Sequence, residues 1–125
     1  MLFRSAADIQ VTGYISNADL YALYARASLF AFPSLDEGFG IPVIEAMAWG
    51  VPVLTSDRSA LAEVSGDAAL HVDPENTEEL AHALQTLMAQ PGLRAQLAAR
   101  GLEWSRQFTW DRAVDATWAV YQELL

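Results

Sequence analysis

Residues 32–55, FPSLDEGFGIPVIEAMAWGVPVLT, decide how the chain folds. An apolar run, Leu29-Phe30-Ala31-Phe32, leads into them and reads as a buried strand, broken at Pro33. A loop carrying Gly38 and Gly40 follows, then a short apolar helix that opens on Pro42 and closes at Gly50. Val51 to Thr55 reads as a second buried strand. Strand, glycine loop, helix and strand form a βαβ unit. Such units bind ligands where the loop leaves the carboxyl end of its strand.

Three features of the loop carry chemistry. Proline suits a first helical position, because its φ is pre-set and its missing N–H has no partner there. The helix start then offers free backbone N–H groups and a partial positive charge, a seat for phosphate. Gly38 and Gly40 let the backbone approach a ligand closely. Two carboxylates flank the turn: Glu37 before it and Glu45 about one turn into the helix, among Ile41, Val43, Ile44, Ala46, Met47 and Trp49. An acid in apolar company is rarely buried without a partner. A lone acid near a helix start also complements the dipole, so the reading rests on the whole constellation.

Composition bounds the rest. At 125 residues, 53% hydrophobic and 18% charged, the chain fits one globular domain. Sixteen acidic against seven basic residues give a net charge of −9, and all seven basic residues are arginines. A lysine Schiff base is thereby excluded. An acidic surface without a basic cluster argues against nucleic acid and against an anionic-membrane patch. There is no cysteine, hence neither disulfide nor thiolate catalysis. No cluster suggests a metal, and no cofactor is implied. No apolar run reaches membrane-spanning length, and Met1 to Gln10 lacks an apolar leader core. A cytoplasmic protein is expected.

In chain order, Ile9 to Thr12 is a short strand candidate. Ser16 or Asn17 caps a helix with Leu20, Leu23, Tyr24 and Ala27 facing the core. Helix-spaced Tyr21 and Tyr24 read as core rather than as stacking platforms. Arg58, in the loop after Val51–Thr55, is the basic residue nearest the proposed site. It is a candidate for a diphosphate, though a surface arginine is the simpler reading. Ala60 to Ser65 is a helix closed by Gly66 as a left-handed cap, and Ala69 to Val72 the last strand. His71 invites a general-base role, but without an apparent partner it reads as structural. Asn76 and Glu79 form a capping box for Thr77 to Ala89, with Leu80, Leu84, Leu87 and Met88 inward and His82 solvated. Pro91 opens a helix with Leu93, Leu97 and Leu102 inward. Thr109 caps the last helix, which carries Ala113, Trp118, Val120, Tyr121 and Leu124.

Glu37-Gly38-Phe39-Gly40-Ile41-Pro42-Val43-Ile44-Glu45-Ala46-Met47-Ala48 resembles the E-x7-E signature of retaining GT-B glycosyltransferases of family 4 (glycosyl transferases group 1). The likeness continues through Gly50-Val51-Pro52-Val53, Glu63-Val64 and Gly66-Asp67-Ala68-Ala69 to Val72-Asp73-Pro74, and spans Val11 to the C-terminus. It implies a catalytic role for Glu37, on hydroxyls of the donor sugar. It implies that the backbone of Gly38, Phe39, Gly40 and Ile41 faces sugar and diphosphate, and that Glu45 accepts from the ribose hydroxyls. A carboxylate suits vicinal hydroxyls, since it accepts two charge-assisted hydrogen bonds at once. The implied ligand is a nucleotide-diphosphate sugar, a GDP- or UDP-hexose, with mannosyl transfer as the family-level expectation.

The implied fold is α/β, a three-layer Rossmann-like arrangement of about four parallel strands. Residues 1–125 would form part of the donor half, and residues 109–125 a terminal helix crossing to an absent N-terminal acceptor domain. Trp104, Trp110 and Trp118 would then be interface residues. The family's opening strand with its Gly-Arg turn, the strand after it and an Arg/Lys pair on the diphosphate would lie upstream. The expectation is therefore a truncated product or a subunit of a split enzyme, inactive alone and weak toward nucleotide-sugar. An unpaired edge at Leu29–Phe32 would favour a homo-oligomer. The alternative is a non-catalytic interaction module. A nucleotide-sugar epimerase fits the same fold but is disfavoured by Glu37-Gly38-Phe39-Gly40. A glycosidase is disfavoured because the two acids serve different subsites.

Overall fold

The computed structural model describes residues 8–125; Met1 to Ala7, part of the stretch read as lacking a leader core, lie outside the described residues. Three strands form one parallel sheet in the order β1 (Phe30–Phe32), β2 (Val53–Ser56), β3 (Ala69–Val72). Phe30 pairs with Val53, and Val53 in turn with Ala69. β2 is central and buried along its whole length, as parallel strands covered on both faces are. Its alternation builds two cores. Val53 points into one with Tyr24, Val43, Met47 and Leu61; Leu54 points into the other with Val72, Ala83, Leu87 and Leu97.

The helices are α1 (Asn17–Arg26), α2 (Ile41–Ala48), α3 (Ser59–Ser65), α4 (Thr77–Ala89), α5 (Pro91–Ser105) and α6 (Trp110–Glu123). Three caps follow from side-chain chemistry: the side chains of Ser16, Asn76 and Thr109 accept from the backbone N–H groups of Asp19, Glu79 and Arg112. Glu79 reaches past Asn76 to accept from the Asp73 N–H. α2 starts one residue earlier than expected, with Ile41 first and Pro42 second. Proline fits there equally well, since that N–H also lacks an acceptor within the helix. At its end, the Gly50 N–H donates to Met47 and the Val51 N–H to Ala46, a Schellman closure.

Several expectations are corrected. Ile9–Thr12 is not a strand, so among the described residues the sheet has three strands rather than about four. Ile9 and Val11 are 65% and 90% exposed. Alternating apolar and polar residues make a strand only beside another strand that satisfies their backbone. β1 has Ala31 exposed, because it forms the sheet edge. Leu23, Met88 and Leu102 are also exposed, and Ala27 with them; the stripes on these helices are narrower than their periodicity suggests. Gly66 is not a simple left-handed cap (φ 50°, ψ −139°). A side chain there would strike the Trp104 ring, whose Nε1 donates to the Val64 carbonyl at 2.7 Å. Trp104 is thus partly buried and packed against the core.

His71 has a partner after all. Ser65 Oγ, fully buried, donates to the Leu61 carbonyl at 2.6 Å and lies 2.7 Å from His71 Nε2. With its proton given to Leu61, Ser65 accepts from His71, so the neutral ring carries its proton on Nε2. Burial holds its pKa below 6.5, against the opposing pull of Asp57 and Asp67. A depressed histidine contributes stability above its unfolded pKa and loses it as pH falls. Chemical unfolding of the chain should therefore become easier between about pH 7 and pH 5. His71→Gln, which keeps a donor without a titration, should flatten that slope. Equal slopes in both chains would contradict the assignment.

Candidate functional site

The site forms where β1 ends. The Thr55 hydroxyl donates to the Phe32 carbonyl at 2.9 Å, fixing the last residue of β1 against β2. From there the chain runs through residues 33–40 into α2, and Gly40 sets the turn. Its φ is 100°, and a Cβ on it would sit 2.5 Å from Leu61 Cδ2. Only glycine meets both conditions. Gly38 differs, with open space around it, so the fold makes no demand for glycine there. Phe39 is held by an edge-to-face contact with Phe108, centroids 5.9 Å apart. The Ile41 side chain is exposed.

The backbone N–H groups of Gly38, Phe39, Gly40 and Ile41 donate to nothing among the described residues, whereas the Val43 N–H turns back to the Gly40 carbonyl at 3.0 Å. Four free donors therefore cluster where the helix dipole is positive. The acids beside them are held differently. Glu37 is half-buried, and Ser34 Oγ donates to its Oε1 at 2.9 Å. Glu45, on α2, accepts at Oε2 from the hydroxyl of Tyr24 at 3.4 Å. Tyr24 belongs to the core, as its spacing predicts, but its hydroxyl was not legible as a partner of Glu45. Its pKa is pushed up to about 12 by burial first and then by the charge of Glu45 and this hydrogen bond.

Arg58 is committed elsewhere. Its guanidinium contacts Asp73 at 2.6 Å and Glu75 at 2.5 Å, with Asp57 at 3.8 Å. These carboxylates, rather than the loop at Gly38 to Ile41, are its partners in the structure. Sequence reasoning also missed Ser34 and Ser59. The Ser59 hydroxyl lies 2.7 Å from Asp36 Oδ1 and 2.9 Å from the Glu37 carbonyl. No periodicity or motif flags such a loop-to-loop contact. His82 is exposed, as expected.

The Tyr24 phenol gives a direct test. A raised pKa favours the neutral form in the fold, so its contribution is complete below about pH 10 and lost as pH rises toward 12. Tyr24→Phe should abolish the highest-pH phenolate step in ultraviolet titration and reduce alkaline loss of stability. An unchanged titration curve would contradict the contact.

The chain is similar to known proteins. The family described as Glycosyl transferases group 1 matches residues 4–104. The O-antigen chain mannosyltransferase B of Escherichia coli is 43% identical over 117 residues, covering 93% of this chain and 30% of that relative. Sucrose-phosphate synthase from Thermosynechococcus elongatus superposes with a TM-score of 0.85 at 28% identity, covering 98% of this chain and 32% of the synthase. The C-terminal domain of a glycosyl transferase group 1 family protein (LpcC) from Francisella tularensis gives a TM-score of 0.67 at 26% identity. That match covers 76% of this chain and 50% of LpcC's domain. The chain thus spans less than a third of the length of the mannosyltransferase it matches.

Proposed function

The chain belongs to the glycosyl transferases group 1 family, and from that premise we propose that it binds the donor nucleotide-sugar in a retaining glycosyltransferase of family 4. The observation that carries this reading is the set of four unengaged N–H groups at Gly38 to Ile41, with a half-buried carboxylate on either side. Neutral donors at a helix start suit a diphosphate, and the flanking acids suit hydroxyls. The open space at Gly38 is room for the ligand. A GDP- or UDP-hexose fits this arrangement. Mannose is the first choice, because the relative at 43% identity is named a mannosyltransferase.

In this reading the backbone of Gly38, Phe39, Gly40 and Ile41 faces the sugar and diphosphate, and Glu45 accepts from the ribose hydroxyls. Glu37 is the catalytic group: it holds the sugar hydroxyls and stabilises the charge that develops as the bond to the diphosphate breaks. The departing diphosphate oxygen takes the proton of the acceptor hydroxyl, so Glu37 need not be a nucleophile. An acceptor domain lies in the remainder of the intact enzyme, against residues 109–125. The exposed Trp110, Val114, Trp118 and Tyr121 of α6 support that placement. In isolation, the same face or the free edge of β1 pairs copies of the chain. A monodisperse monomer in light scattering at high concentration would argue against this pairing.

The second reading, a non-catalytic interaction module, draws on the engagement of Arg58 by carboxylates and the bare face of α6. Ligand titration separates the two. Glu45→Ala should weaken nucleotide-sugar and bare nucleotide alike, by about 1.5–3 kcal/mol, roughly 10- to 150-fold. Glu37→Ala should weaken the nucleotide-sugar and spare the bare nucleotide. Calorimetry with GDP, GDP-mannose, UDP and UDP-glucose checks both. Equal losses at the two positions would remove the subsite assignment, and no loss at either would favour the interaction module.

A further inference from the structure

We propose that Ser59 is a positioning residue that sets the carboxylate and backbone of Glu37 for the donor sugar, an inference that rests on the reading of Glu37 given above. Ser59 is the one non-glycine residue with positive φ among the described residues, at 57°. A side chain in that region persists only where its surroundings over-determine it, and such outliers gather at functional sites. Here the surroundings are the signature loop. The Ser59 hydroxyl donates toward Asp36 Oδ1 at 2.7 Å and the Glu37 carbonyl at 2.9 Å, and it accepts from the Glu37 N–H at 3.4 Å.

A hydroxyl has one proton, and the carboxylate of Asp36 is the stronger acceptor at the shorter distance. Asp36 thereby orients the hydroxyl, whose lone pair is left for the Glu37 N–H. Ser34 completes the arrangement from within the loop, donating to Glu37 Oε1 and lying 3.2 Å from the Asp36 carbonyl. Glu37 is thus held at its N–H by Ser59 and at its carboxylate by Ser34. Two residues further along α3, Leu61 closes against Gly40. The helix meets the loop at two points, and Ser59 is its polar contact. The strain at Ser59 is the conformation that brings the hydroxyl over Asp36 and Glu37.

Two substitutions separate hydroxyl from strain. Ser59→Gly removes both, and Ser59→Ala removes the hydroxyl and keeps the strain. A purely structural role predicts that glycine is harmless or stabilising. A positioning role predicts that both variants lose affinity for the sugar-bearing ligand only. Titration of the 125-residue chain, followed by nuclear magnetic resonance, with GDP-mannose, GDP, UDP-glucose and UDP reads the preference for sugar-bearing over bare nucleotide. Both variants should reduce that preference by about 10-fold, with bare-nucleotide affinity unchanged. Neither should reduce it further in a Glu37→Gln background. Retention of the preference in Ser59→Gly, where Glu37→Gln loses it, overturns the role of Ser59 alone. Equal loss of bare and sugar-bearing nucleotide in Ser59→Gly also overturns it. A Glu37→Gln chain that keeps the preference, or an unsubstituted chain that binds none of the four ligands, overturns this proposal and the reading of Glu37 together.

Discussion

The contact between Gly40 and Leu61 constrains everything near the site. At φ 100°, with Leu61 where a Cβ would stand, residue 40 is restricted to glycine. That conformation turns the loop from the end of β1 into α2 and leaves consecutive N–H groups facing outward. Leu61 is itself fully buried, packed with Val43, Met47 and Val53. The turn of a solvent-facing loop at Gly40 is therefore set by the interior. Displacing Leu61 would relax the loop without touching any group that meets a ligand.

Electrostatics shape the site differently. The chain carries a net charge of −9, yet the proposed ligand is an anion. The attraction at the loop comes from aligned peptide dipoles rather than a side-chain cation, and such a dipole contributes about 0.3–1 kcal/mol. Arg58 lies close in sequence but is drawn to Asp73 and Glu75, where it ties the β2–α3 loop to the segment after β3. The arginine therefore acts on architecture. Its pairing leaves the loop's own N–H groups as the donors that the diphosphate of the proposed ligand would meet.

The βαβ unit was legible because each of its signals is local: apolar runs, glycines in the loop, proline near the helix start. The caps at Ser16, Asn76 and Thr109 were legible for the same reason. What sequence could not supply was the presence of neighbours. Ile9–Thr12 has a strand's alternation and no strand beside it among the described residues. Leu23, Met88 and Leu102 have a core spacing and face outward. The contacts of Trp104 with Val64, of His71 with Ser65 and of Ser59 with Glu37 join residues that only the folded chain brings together. Around Glu37 and Glu45, the side chains that support each residue were not legible.

Those supports differ in a way that matters for the two carboxylates. Glu45 lies on a helix anchored in the core, and its partner is a phenol with 4% of its surface exposed. Glu37 lies in a loop, and its partners are the hydroxyls of Ser34 and Ser59, near solvent. A buried partner on a helix allows one geometry, whereas surface hydroxyls can rotate and exchange with water. Under the proposed assignment, Glu45 meets the ribose, which is common to every nucleotide donor, and Glu37 meets the hexose, which varies among them. The rigid acid then serves the constant part of the ligand and the adjustable acid the variable part. A change of sugar specificity would accordingly begin with the hydroxyls around Glu37, leaving Tyr24 and Glu45 in place.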